Sequence, residues 1–223
     1  MMKPVGLILS LLLLAPFAQA EEQNSDQWMF YPSIGLGWNQ LEFVRPGGVL
    51  EADYLTLNLG LSATNGSMYV SLEGELFGKS NFQNGTDFTS VEREDLTLAV
   101  GGTFGQFSVF GGYTDAETKD DFLGEFHFDK GLFVGLGYDI PISGSSLGLS
   151  IAYADLDGEI YEDEVGLIET GDTTGFSYRI SYSGAFRSDM GYKVFLRFRS
   201  YEFESATAVT DKDILSLGAS IIF

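Results

Sequence analysis

The chain has 223 residues, with 12 Lys and Arg against 32 Asp and Glu, a formal charge of −20, a single His and no Cys. A surface of that sign does not suit nucleic acid, and the lack of Cys excludes a disulfide framework, a thiolate metal site and a cysteine nucleophile. Twenty-eight Gly beside only five Pro fit closely packed, uninterrupted strands better than disorder.

Residues 1–20 read as a secretory signal peptide: Lys3, then an apolar block from Val5 to Leu14, then Ala18, Gln19 and Ala20 as a small-x-small cleavage site. The block is too short to span a bilayer as a helix, and no later apolar run reaches the roughly 18 residues a membrane helix needs. Residues 21–223 are expected to form one domain.

Alternating hydrophobicity recurs along that domain. In 28–41, Phe30, Ile34, Leu36 and Trp38 point one way, and Tyr31, Ser33, Gly35, Gly37 and Asn39 the other. Leu55, Leu57, Leu59 and Leu61 alternate with polar residues and Gly in 53–63, and an Asn65-Gly66 turn leads into 68–77. There Met68, Val70, Leu72 and Leu76 oppose Tyr69, Ser71, Glu73 and Glu75. Segments 92–104 and 107–114 meet at Gly105, and an acidic loop over 115–124 is expected before 125–140. Segment 147–154 follows a turn near Pro141. A second acidic loop, 155–172, precedes 173–185, and a turn near Ser188 leads to 191–202. The last segment, 212–223, sends Leu215, Leu217, Ala219, Ile221 and Phe223 outward, and Ile214, Ser216, Gly218, Ser220 and Ile222 inward.

About ten strands with tight turns at one end and longer acidic loops at the other predict an all-β fold: a transmembrane, antiparallel up-and-down β-barrel. Aromatics near the strand ends mark two interfacial girdles, Trp38, Tyr113, Phe128, Tyr153 and Phe176 above, and Phe30, Phe107, Tyr138, Tyr192 and Phe223 below. The inner faces then carry Glu73, Glu75, Arg93, Asp95, His127, Asp129, Arg179, Lys193, Arg197 and Arg199. Buried charges need partners or water, so the basic residues of the eighth and ninth strands are expected to pair with Glu73, Glu75 and Asp95 across the interior. Such a lumen reads as a polar plug, with a narrow ion or small-solute channel as the alternative.

Ser216, Gly218, Ile221 and Phe223 resemble the C-terminal signal of Gram-negative outer-membrane barrels, which implies recognition by the barrel assembly machinery. The whole pattern resembles the small OmpA-like outer-membrane barrel proteins. That resemblance implies a monomer among outer-membrane lipid and lipopolysaccharide, with its acidic loops facing the medium and no catalytic residues. The ten-stranded omptin proteases are also similar in plan. They activate water with paired carboxylates and an aspartate-histidine pair at the outer mouth, which here draws attention to His127 and Asp129 on one face, in reversed order. Residues 153–164 resemble an EF-hand calcium loop, with Asp155 and Asp157 as ligands, Gly158 at the sharp turn, Ile160 at the eighth position and Glu164 at the twelfth. Calcium held by Asp155, Asp157, Glu159 and Glu164 is the one metal site the sequence suggests, and no other cofactor is expected.

Overall fold

The computed structural model describes residues 27–45, 48–84, 87–120, 124–162, 165–187 and 190–223. The expected signal peptide, Ser188 and Glu164 lie outside the described residues. Ten antiparallel strands form a closed barrel: β1 Met29–Arg45, β2 Gly48–Thr64, β3 Met68–Asn84, β4 Asp87–Phe104, β5 Phe107–Asp120, β6 Glu125–Ile142, β7 Ser145–Glu162, β8 Gly166–Arg187, β9 Met190–Ser205 and β10 Val209–Ile222.

Each strand pairs with its sequence neighbour, and β10 closes on β1 from Ser33↔Ile222 to Val44↔Asp211. Closure satisfies the backbone donors and acceptors that an open sheet edge would leave bare. One further bond, from the Phe223 amide to the Pro32 carbonyl at 2.9 Å, carries the closure to the final residue.

The outward face of the lower and middle barrel is apolar. Leu36 on β1, Leu55 on β2, Leu132 on β6 and Ile180 on β8 are all at least half exposed, with Leu132 at 68%. Exposed apolar side chains in such numbers are a liability in water and fit contact with hydrocarbon. Aromatics pair along both margins of the band, Tyr153 with Phe176 at 5.3 Å between ring centroids and Phe107 with Tyr138 at 4.7 Å.

The strands are longer than the apolar alternation alone predicts. At about 3.3 Å per residue and a tilt of about 40°, the 17 residues of β1 rise about 43 Å, against an apolar band of about 25 Å. The excess lies at the end away from the tight turns, and it corrects the expectation of long acidic loops there. Most of 115–124 belongs to β5, and most of 155–172 belongs to β7 and β8. The carboxylates stand on paired strands that continue past the apolar band.

At the other end the connections are tight. Asn65 Oδ1 accepts from the Ser67 and Met68 amides, and Gly66 takes a φ of 87° that a side chain would oppose. The turn expected over 141–146 centres on Ser143 and Gly144, both with positive φ, and Pro141 itself remains in β6.

Candidate functional site

The lumen is filled in two layers. The lower one is ionic and begins with β3 and β4. Parity turns Glu73, Glu75 and Asp95 inward, and a bulge between Glu75 and Gly78 then brings Gly78 opposite Arg93. Gly is needed there because a Cβ would come within 2.8 Å of the Tyr54 ring.

In a ring of ten strands β3 stands diametrically opposite β8, so side chains from the two walls meet in the middle. Arg179 on β8 and Lys193 on β9 reach Glu73 at 3.1 and 3.5 Å. Glu75 accepts from Arg197 and, at 3.2 Å, from Arg199. Arg199 also reaches Asp95 at 2.9 Å, and Asp95 takes Arg93 through Nε at 3.1 Å and Nη2 at 2.9 Å. Eight of the ten inner charges named from the sequence thus pair in two adjacent groups, Glu73 with Arg179 and Lys193, and Glu75 and Asp95 with Arg93, Arg197 and Arg199. Arg179 and Arg197 are direct cross-strand partners of like sign, and the carboxylates from the far wall make that juxtaposition tolerable.

The remaining two, His127 and Asp129, sit higher and do not meet. Asp129 accepts from Thr173 at 2.8 Å and forms an ion pair with Lys212, while His127 turns to Glu125 at 3.3 Å and packs edge-on against Phe43 at 5.3 Å between centroids. The two side chains that the sequence places on one face thus engage separate partners.

The upper layer is apolar. Leu41, Phe43, Ala52, Tyr54, Val91 and Ile214 pack together inside the barrel, with Leu41, Val91 and Ile214 fully buried. Lys212, only 2% exposed, stands beside them with its ammonium 5.0 Å from the Phe43 ring centroid. Lys212 is a member of the lumenal charge set that the sequence reading missed, although its parity with Ile214 and Ser216 marks it as inward.

Residues 155–162 are extended strand, not an EF-hand loop. Asp155 and Asp157 project outward, and Glu159 is held by Lys130 at 3.1 Å. Alternate residues of a strand stand nearly 7 Å apart, too far to converge on one ion. Among the described residues no group of three or more His, Asp or Glu side chains is arranged to hold a metal.

The outward face changes character along single strands. Trp38 is followed on the same face of β1 by Glu42, Tyr113 on β5 by Asp115 and Glu117, Tyr153 on β7 by Asp155 and Asp157, and Phe198 on β9 by Glu202 and Glu204. Many of these carboxylates face one another directly, as in Glu42↔Glu51, Glu42↔Asp213, Asp157↔Asp172, Asp172↔Glu204 and Glu202↔Asp211. Lys130, opposite both Asp115 and Asp157, is a cation within that collar.

No protein-family model matches the sequence, and no curated protein matches it either. A solved structure shares the architecture. Outer membrane protease OmpT from Escherichia coli superposes with a TM-score of 0.58 at 9% identity, covering 92% of this chain and 99% of that one. Neisserial surface protein A gives 0.44 at 9% identity over 89% and 100% of the two chains, and Ail from Yersinia pestis 0.33 at 11% identity over 86% and 98%. The chain has the fold of an outer-membrane β-barrel.

Proposed function

We propose that the chain is a non-enzymatic, monomeric protein of the Gram-negative outer membrane whose collar of carboxylates engages divalent cations and, through them, the phosphates of lipopolysaccharide. The observation that carries this reading is the switch, on one outward face, from an apolar band to directly opposed carboxylates. Like charges paired across strands are destabilising unless counter-cations offset them, and the headgroup layer above the hydrocarbon is where anionic lipid and divalent cations meet.

The two filled layers of the lumen support a plug over a channel. That Asp129 is engaged by Lys212 and Thr173, away from His127, supports a structural role for both over an omptin-like hydrolase.

The test is thermal unfolding of the protein in lipopolysaccharide-containing and in zwitterionic phospholipid vesicles, with magnesium or with a chelator. Magnesium is expected to raise the unfolding temperature only in the former, and a triple variant Asp157→Asn, Asp172→Asn, Glu204→Gln is expected to lose most of the rise. Identical magnesium responses in both membranes would remove the proposal.

A further inference from the structure

Below the ionic layer the lumen opens into a cavity of about 500 Å³, within the range of small-molecule sites. It lies at the end of the tight turns, bordered by Gly144 and Ser146, and the filled layers close it above. Hydroxyls line its wall, from Tyr31, Ser33, Ser62, Ser183 and Ser220, while Arg179, Lys193, Glu73 and Glu75 stand at its inner end.

The charges of the ionic layer as a whole do not balance. Arg93, Arg179, Lys193, Arg197 and Arg199 are five cations, and Glu73, Glu75 and Asp95 are three carboxylates. Of the two carboxylates at the cavity, Glu75 is taken up by Arg197 and Arg199, and Glu73 is shared between two cations, Arg179 and Lys193. Asp139, a carboxylate at the mouth on the inner face, is held by Ser146 at 3.5 Å. Donors are in surplus too. Asn58 Nδ2 and Arg179 Nε, on two side chains that line the cavity, are buried and have no acceptor among the described residues. Buried donors ordinarily find a partner. The guanidinium of Arg179 is held by stacking over Phe195, 4.5 Å from its ring centroid, so its position is set before any ligand arrives.

We propose that this cavity binds a small hydroxylated organic anion, a carboxylate or a phosphate monoester, with the anionic group against Arg179 and Lys193 and its hydroxyls against the serine-lined wall. An ionic layer with five cations against three carboxylates, inside a chain of charge −20, favours an anion at the inner end of the cavity by local field, while the acidic collar at the opposite end would repel it. With the tight turns on the periplasmic side, as the membrane reading above has them, the anion enters from the periplasm. The binding itself does not depend on that orientation.

Isothermal titration of the full barrel in neutral detergent tests it, with succinate and glycerol 3-phosphate as probes and glycerol as the uncharged control. One saturable site for at least one anion, and none for glycerol, is expected, and the stronger of the two probes tells which anionic group the site prefers. Arg179→Gln and Lys193→Gln are each expected to weaken binding about tenfold or more. Ser183→Phe, which fills the cavity and leaves every charge in place, is expected to abolish binding while the heat-modifiable gel mobility of the folded barrel is kept. No saturable binding of either anion up to about 10 mM, or unchanged binding in Ser183→Phe, would overturn the proposal. Because the titration is done in detergent, it can fail while the membrane reading stands.

Discussion

Arg199 on β9 meets Asp95 on β4 at 2.9 Å, with both side chains almost wholly buried, and the two strands lie on opposite walls of the barrel. Removing one partner of a buried pair leaves the other charge uncompensated, at a cost of about 3–5 kcal/mol. Asp95→Asn is therefore expected to lower stability by that order, measured by urea unfolding in micelles. Glu73→Gln is expected to cost clearly less, because Glu73 and its partner Arg179 are 35% and 20% exposed and water shares in their solvation. A larger loss for Glu73→Gln than for Asp95→Asn would contradict this ordering.

Lys212 and Asp129 form a more isolated pair beside the apolar layer. Lys212→Met or Asp129→Asn alone is expected to destabilise by about 3 kcal/mol or more, and the double variant by much less than the sum, since each single change leaves one buried charge unpaired and the double leaves none. A double-mutant cycle gives the number, and additivity within about 0.5 kcal/mol would rule the pairing out as an energetic unit.

Two stacked layers close the lumen, so the intact protein in planar bilayers is expected to show no large, stable openings. Arg197→Ala is expected to remain closed as well, because Leu41, Val91 and Ile214 still fill the cross-section above it. Steady conductance steps from the unmodified protein would favour a channel instead.

Deleting Phe223 removes the bond from its amide to the Pro32 carbonyl and the last aromatic of the lower margin. The truncated chain is expected to be secreted normally but to accumulate poorly in the outer membrane. Fractionation with quantitative blotting checks this, and full membrane levels would argue against an assembly role for that residue.

Period-two alternation was enough to reveal the strand number, the inward face of Glu73, Glu75 and Asp95, and the arginines of β8 and β9 that face them. Strand order then placed those two sets on opposing walls. The alternation misled beyond the apolar band, where its sign inverts. In Asp155, Leu156, Asp157, Gly158, Glu159 and Ile160 the period is intact, but the polar members point out and Leu156, Gly158 and Ile160 are buried inside. A strand whose exterior leaves hydrocarbon for water no longer gains from outward Leu or Phe, so a pattern sought as apolar-outside reads there as loop. The same inversion hid Leu41, Phe43 and Lys212. The cavity was out of reach for a different reason, since its volume depends on how the side chains of several strands share the interior.

The ionic layer joins residues separated by 104 to 124 positions in the chain. Glu73, Glu75 and Asp95 lie on β3 and β4, and the cations that meet them across the lumen lie on β8 and β9. A hoop of fewer strands would not set these walls face to face, so the pairing across the lumen fits a ring of ten strands and no smaller one.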